Sequence, residues 1–275
     1  MPAQSAHGVQ VTRVELSIGS LDLFRFADYD HAFPRHSHER FTVGVFGRRN
    51  GKINFRRGSF AATEGAILAV PPDEAHSADP ERHCGWTYRT LYPSTRIVDM
   101  ALESTGRTVS PVFNRPVIHD PSLARGLFDL HSALESAPPS LAAEERLLEL
   151  IRTLVDRHGS ERHAESPEIS SASVARARSY LDDNFSKTVK LAELSSVCGI
   201  SPFHMIRSFR NFFGMPPHAY LTQVRANRAR DMLLTGTALS SVAYSCGFSD
   251  QSHLTRTFKR IFGITPGAYA AARAL

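Results

Sequence analysis

The first third of the chain contains short apolar runs, whereas further along the chain the apolar positions recur with the longer period of a helix. Up to about residue 96, these runs are rich in β-branched and aromatic residues and are bounded by Gly, Pro, Asn or Asp. They occupy residues 41–47, 52–58, 65–72 and 86–93. Short runs separated by turn residues predict antiparallel strands, and several in succession favour a sandwich or a small barrel.

Between about residues 121 and 158 the apolar positions follow a helical period. Two helices are predicted, with the loop 136–140 between them. The apolar stripe of the second helix consists of Leu141, Leu147, Leu148, Ile151, Leu154 and Val155. We expect this stripe to pack across a partner chain as a dimer contact, and the alternative is that it covers its own barrel. Residues 159–171 are polar and without a period, so they are predicted as a linker.

The last third of the chain contains an internal repeat. Residues 191–201 match residues 239–249, and residues 204–220 match residues 253–269. The match includes two endings in which an aromatic residue is followed by Gly, two further residues and Pro. One supersecondary unit is therefore used twice.

Each copy of the repeat predicts a helix, a tight turn and a second helix. Gly199 and Gly247 end the first helices, because glycine readily adopts the positive φ angle that closes a helix. Ser201 is expected to cap the second helix of the first copy, and Ser249 takes the same part in the second copy. The two copies are thus predicted to be helix-turn-helix units.

The second helix of each unit has an apolar face and a polar face. The apolar face comprises Met205, Phe209 and Phe212 in one copy, and Leu254, Phe258 and Ile261 in the other. The opposite face comprises Phe203, Arg207 and Arg210, and in the other copy Ser252, Arg256 and Lys259, with Ile206 and Thr255 beside these faces. Such a helix suits the major groove of DNA, where Arg binds guanine and apolar groups touch thymine methyls. The alternative is an ordinary solvated helix surface.

Between the two units the sequence predicts a connecting helix that carries three arginines. These are Arg225, Arg228 and Arg230. Arginines on such a helix either contact DNA phosphates or are simply solvated. We expect about one of the three to contact a phosphate.

Charge is distributed unevenly along the chain. The 275 residues carry a net charge of +5, and residues 171–275 contain 13 Lys and Arg against five Asp and Glu. The rest of the chain is slightly acidic. A basic segment of this kind indicates a polyanionic partner such as nucleic acid, although a merely basic surface gives the same count.

Composition excludes several classes of protein. Apolar residues make up 42% of the chain and charged residues 21%, which is typical of a globular protein, and the length fits two domains. No apolar run approaches the roughly 18 residues of a membrane helix, and the first ten residues lack the layout of a signal peptide. The three cysteines, Cys84, Cys198 and Cys246, are too few for a disulfide framework and favour a location in the cytoplasm.

The repeat resembles the DNA-binding domain of the AraC/XylS family of bacterial transcription regulators. The resemblance covers residues 174–269 and is strongest over residues 246–269. It implies seven helices, among them a linker helix and two recognition helices that bind double-stranded DNA. It places base contacts at Phe203, Ile206, Arg207, Gln251, Ser252, Thr255 and Arg256. Arg210 and Lys259 join this candidate set because they lie on the same helical faces.

Residues 20–95 resemble the small cupin-like β-barrel that binds effectors in many members of this family. The resemblance is carried by residues 34–46 and 63–77. The positions that match metal ligands of cupins are His36, His38 and His76. Asp73 replaces the usual Gly of the second motif, and the Glu ligand of the first motif is missing, since Thr42 or Val43 stands there.

The role of the three histidines is left open between three alternatives. They form a site for a divalent metal, or line a metal-free pocket for an organic effector, or are structural residues of the barrel. Arg35, Arg89 and Tyr92 are expected to add polar contacts at the barrel mouth. An arginine there would favour an effector with a carboxylate, through two hydrogen bonds.

Together these features predict an α+β protein with two domains. Residues 1–158 form a cupin-like antiparallel β-barrel with dimerisation helices, residues 159–171 a linker, and residues 172–275 an all-α domain with two helix-turn-helix units. We expect a cytoplasmic, homodimeric transcription activator that is controlled by a small-molecule effector, acts with RNA polymerase and has no membrane partner. No cofactor is expected apart from a metal in the barrel. The alternative is a metal-dependent cupin enzyme fused to a DNA-binding domain.

Overall fold

The computed structural model describes residues 8–48, 51–81, 85–103, 111–160 and 168–272, with side chains from residue 172 onward in the last range. Cys84 therefore lies outside the described residues. The chain divides into two compact units: of the described residues, the first contains 8–32, 38–160 and 272, and the second contains 33–37 and 168–271. In the ranges described, no helix combines the length and the apolar character that crossing a bilayer requires.

The described strands form two sheets. Their bounds are β1 Val9–Leu16, β2 Gly19–Tyr29, β3 Phe33–His36, β4 Thr42–Phe46, β5 Gly51–Phe55, β6 Gly58–Ala62, β7 Ile67–Val70, β8 His76–Pro80, β9 Trp86–Pro93 and β10 Val117–Ile118. The first sheet has the order β1-β2-β9-β4-β7-β10, and the second has the order β3-β8-β5-β6. The pairs β1–β2, β2–β9, β4–β9, β4–β7 and β5–β6 are antiparallel, as the sequence predicts.

Aromatic rings fill one face of the six-stranded sheet. Phe26 lies opposite Tyr88 in the register of β2 and β9, and their rings stack with centroids 4.2 Å apart. Phe46 on β4 stacks on Trp86 at 5.8 Å. Because side chains alternate along a strand, these rings lie on one face and leave the other face for the helices.

Helices pack against the other face of this sheet. They are α1 Thr95–Glu103, α2 Pro121–Ser136 and α3 Leu141–His158, of which α1 is not predicted from the sequence. The predicted stripe of α3 is buried at Leu147, Ile151, Leu154 and Val155, in a cluster that includes strand residues of the same chain. The stripe therefore covers its own barrel at these positions and does not form the dimer contact that we expected there. Leu141 differs, being 72% exposed.

Residues 168–271 contain seven helices. Their bounds are α4 Glu168–Asp183, α5 Leu191–Cys198, α6 Pro202–Phe213, α7 Pro217–Leu234, α8 Leu239–Ser245, α9 Gln251–Phe262 and α10 Pro266–Ala270. Helix α4 begins within the range that was predicted as a linker. At the other end of that range, Ser160 pairs with Val112 in an isolated β-bridge.

The turns of the two helix-turn-helix units follow the sequence closely. Gly199 and Gly247 have φ angles of 67° and 74°. The hydroxyl of Ser201 accepts a hydrogen bond from the backbone N–H of His204, which caps α6. In the second unit the cap is Asp250 and not Ser249, because the Asp250 carboxylate accepts the His253 N–H at 2.7 Å. This hydrogen bond lowers the pKa of Asp250.

The apolar face of α6 differs from the prediction at its end. Phe212 is 57% exposed, whereas its neighbour Phe213 is buried. The ring of Phe213 lies 4.6 Å from that of Phe209 and 5.3 Å from that of Tyr220, measured between centroids. Phe213 is therefore the core residue at the end of α6, because it packs against Tyr220 of α7. The spacing of apolar residues in α6 alone does not reveal this contact.

Candidate nucleic-acid interface and ligand site

Helix α6 directs its predicted contact residues to solvent. Arg207 and Arg210 are exposed, Ile206 is half-buried, and Phe203 is 77% exposed. On the opposite side Met205 and Phe209 are fully buried. The helix is thus fixed by its apolar face, while a cationic face with one aromatic ring is available to a partner.

Helix α9 repeats this arrangement with different side chains. Gln251, Ser252 and Arg256 are exposed, and Thr255 and Lys259 are half-buried. The Thr255 hydroxyl donates to the Gln251 carbonyl at 2.8 Å. This bond fixes the rotamer of Thr255 within the helix, whereas the Gln251 side chain stays exposed at the first position of the helix.

The three arginines of α7 have different environments. Arg225 donates hydrogen bonds to the carbonyl oxygens of Phe185 at 2.7 Å and Lys187 at 2.8 Å. Arg230 is buried and forms an ion pair with Asp231. Arg228 is exposed and lies over the Phe185 ring. Arg228 is therefore the one of the three that faces solvent.

The three predicted histidines converge. Each of His36, His38 and His76 offers a ring nitrogen, and these nitrogens all lie within 4.8 Å of one another. His36 and His76 are 4% and 3% exposed, and His38 is half-buried. The ring of Tyr92 lies 5.3 Å from that of His38. The structure therefore brings together four of the six residues predicted to bind an effector.

Arg89 does not join this group. It follows Tyr88 and so lies on the opposite face of β9, where its guanidinium forms an ion pair with Glu135 of α2. Its Nη1 also lies 3.0 Å from Nδ1 of His131. Glu135 and His131 are not among the predicted site residues, although their spacing of four residues on an amphipathic helix indicates a pair of polar side chains on one face.

Arg35 does not join the group either. It is the neighbour of His36 in β3, and adjacent side chains of a strand point to opposite faces. Neither arginine therefore lies with the histidines, although both were predicted to do so at the barrel mouth.

Comparison with known families agrees with this two-part organisation. Residues 19–151 match the model of the AraC-like ligand binding domain, and residues 194–272 match the model of a helix-turn-helix domain. The HTH-type transcriptional regulator YbfI of Bacillus subtilis is 28% identical over 235 residues, which is 85% of this chain and 86% of YbfI. The HTH-type transcriptional activator RhaS of Yersinia pestis is 32% identical over 77 residues, 28% of each chain.

Among solved structures, ToxT of Vibrio cholerae O395 has the same fold. The TM-score is 0.59 over 91% of this chain and 96% of ToxT, at 11% sequence identity. This likeness covers the ligand-binding and the helical parts. With both family models matched in the order seen here, the chain belongs to the AraC family of transcriptional regulators, with an AraC-like ligand-binding domain followed by a helix-turn-helix DNA-binding domain.

Proposed function

We propose that the chain reads a specific duplex through the outward faces of α6 and α9. The observation that carries this proposal is the exposure of the arginines on both helices, opposite apolar faces that are buried. A recognition helix needs this division, because one side must be held rigidly while the other reaches base edges. The proposed contacts are Phe203, Ile206, Arg207, Arg210, Gln251, Ser252, Thr255, Arg256 and Lys259.

The two helices supply different base contacts. Arg207 and Arg256 can each donate two hydrogen bonds to O6 and N7 of a guanine, and Gln251 can pair with an adenine. Phe203 and Ile206 suit thymine methyl groups. Helix α7 has 18 residues and hence a length of about 27 Å, which suits two recognition helices one DNA turn apart, roughly 34 Å. We therefore propose that one chain reads two successive major grooves.

The regulatory site is proposed to lie at His36, His38, His76 and Tyr92. A ligand that prefers one of two states of the protein shifts their populations and so alters DNA binding. Structural neighbours include ToxT bound to an unsaturated fatty acid. A carboxylate is one effector class that such a fold accommodates.

The remaining features of the proposal concern assembly and location. We propose a homodimeric activator that acts with RNA polymerase in the cytoplasm and is not an enzyme. Kinship with the activator RhaS supports activation. The exposed Phe128 and Leu141 on α2 and α3 provide apolar surface for a second copy.

The experiment is a measurement of DNA affinity with a duplex selected from a random library. Arg256→Ala should weaken binding to the selected duplex by about 5- to 150-fold, corresponding to about 1–3 kcal/mol, and weaken binding to a scrambled duplex far less. Arg96→Ala removes the same charge from an exposed position on α1 and should change neither affinity. Equal losses on both duplexes would contradict base reading by α9.

A further inference from the structure

We infer that an open cleft beside β10 binds a small molecule with a phosphate group, which Arg115 and Arg157 hold. The cleft has a volume of about 450 Å³, within the roughly 300–1,000 Å³ of small-molecule sites. The described residues that line it all belong to the first compact unit, and none of them belongs to the effector site proposed above. The inference therefore goes beyond the proposed function and does not depend on it.

Hydrogen-bond donors dominate the polar lining of the cleft. The loop before β10, the residue after β10 and the last turn of α3 contribute Asn114, Arg115, His119, Arg157 and His158. A guanidinium offers five N–H donors and no acceptor. None of the described residues that line the cleft is acidic. The lining therefore suits an anion, which only accepts hydrogen bonds.

Asp120 holds one side of the cleft in place. Its Oδ2 accepts a hydrogen bond from Nη1 of Arg157 at 2.9 Å and lies 3.2 Å from Nε2 of His158. Its Oδ1 accepts the backbone N–H of Leu123 and so caps α2. Burial raises the pKa of Asp120, but hydrogen bonds, chiefly from the Leu123 N–H, outweigh burial and lower it. The carboxylate is thus ionised and offsets one positive charge, that of Arg157.

Arg115 supplies a second positive charge that no carboxylate offsets. It is exposed, and within the part of the chain that the structure describes it forms no hydrogen bond or ion pair. Cations in the last turn of a helix stabilise its dipole, which accounts for Arg157 and His158 without any ligand. This explanation does not apply to Arg115, which lies outside α3. Two cations at one cleft repel each other, and a bound anion removes this repulsion.

The two guanidinium groups favour phosphate over carboxylate. A phosphate monoester carries close to two negative charges at pH 7, because its second pKa is about 6, and it has three terminal oxygens that accept hydrogen bonds. A carboxylate carries one charge, and a single guanidinium satisfies it through two hydrogen bonds. Val117 and Ile118 of β10 add an apolar part to the lining. The remainder of the ligand is therefore expected to be apolar or aromatic.

Isothermal titration calorimetry of the full-length protein with phenyl phosphate, in a buffer free of phosphate, tests the site. One molecule per chain should bind, with a dissociation constant of about 1 mM or lower. Arg115→Ala and Arg157→Gln should each weaken binding at least about tenfold, because each removes charge-assisted hydrogen bonds. Arg125→Ala removes the same charge from an exposed position on α2 and should leave the affinity unchanged. Circular dichroism verifies that each variant is folded.

A folded protein without saturable binding, or an unchanged affinity in both cleft variants, overturns the site. Benzoate has the same ring with a carboxylate and should bind at least about fivefold more weakly than phenyl phosphate. Equal or tighter binding of benzoate overturns the choice of phosphate. The backbone of DNA is another source of phosphate groups. A saturating duplex should leave the affinity for phenyl phosphate unchanged, and competition by the duplex would overturn the assignment to a small molecule.

Discussion

Nη1 of Arg89 lies 3.0 Å from Nδ1 of His131. His131 is fully buried, and its Nε2–H donates to the carbonyl oxygen of Phe24 at 3.1 Å, because a carbonyl oxygen only accepts. Glu135 forms ion pairs with Arg89 and with Arg25 of β2. Two strands of the barrel are thereby joined to α2 through polar groups, of which Arg89, His131 and Glu135 have little contact with water.

Glu135 gives the stability of this region a specific dependence on pH. Burial raises the pKa of Glu135, but His131 and Arg89 together outweigh burial and lower it from 4.5 to about 2. A carboxylate with a lowered pKa stabilises the fold fully above its unfolded pKa, and this stabilisation is lost as the pH falls from about 4.5 towards 2. Glu135→Gln should therefore reduce the free energy of unfolding by about 2–3 kcal/mol at pH 7.

Urea unfolding of both proteins between pH 3 and pH 7 measures this effect. The difference between them should be constant above about pH 5 and should decrease below about pH 4.5. Glu145→Gln, at an exposed position on α3, serves as the control and should unfold like the unaltered protein at each pH. A difference for Glu135→Gln that is independent of pH would mean that the carboxylate is not stabilised by its partners.

The sequence predicts most of the elements that bury one face, because their apolar residues recur with the period of a helix or a strand. The two helices of 121–158 and the helix-turn-helix repeat lie where they were expected, because each has an apolar stripe. Helix α1 was missed because it is only nine residues long and follows a strand directly. The cap at Asp250 was assigned to Ser249, since both residues are good caps and only the backbone geometry distinguishes them.

The two turn glycines form a matched pair for mutation. Both have positive φ angles, so alanine costs about 1 kcal/mol at either position through the left-handed backbone alone. A Cβ atom at Gly199 would meet no atom within 4 Å, but at Gly247 it would lie 2.6 Å from the carbonyl oxygen of Ser186. We expect Gly247→Ala to cost at least about 1 kcal/mol more than Gly199→Ala. Chemical denaturation of the two variants tests this, and equal costs would be inconsistent with the contact at Ser186.

Alanine substitutions of Arg225 and Arg228 should have different effects, one on stability and the other on DNA binding. Arg225→Ala removes two hydrogen bonds to backbone carbonyl groups and should lower the free energy of unfolding by about 1–3 kcal/mol. Arg228→Ala should leave stability nearly unchanged and should lower the salt dependence of DNA affinity by about one unit of slope. Thermal unfolding and anisotropy titrations at several salt concentrations measure both. An unaltered salt slope in Arg228→Ala would exclude it as a phosphate contact.

The candidate sites could be predicted only in part, for a physical reason. Sequence spacing places His36 and His38 on one face of a strand, and a family motif adds His76, so the cluster could be anticipated. Arg89 was grouped with Tyr92, but the two are three positions apart in β9, so the alternation of side chains along a strand places them on opposite faces. The sequence does not show that Glu135 of α2 is the partner of Arg89 on its face, because this contact joins residues 46 positions apart.

Phe203 and Phe212 provide the sharpest test of which face of α6 binds DNA. Both rings are exposed, at 77% and 57%, yet nine residues separate them, which places them on opposite sides of the helix at about 100° per residue. Phe203→Ala should weaken binding to the selected duplex at least about fivefold, because a ring at the groove loses its contact with base edges. Phe212→Ala should bind like the unaltered protein, since its ring packs beside Phe213 with centroids 4.9 Å apart. Both changes should alter the free energy of unfolding by less than about 1 kcal/mol, because each ring is mostly solvated. If Phe212→Ala weakened binding as much as Phe203→Ala, α6 would not enter the groove with the face that carries Arg207.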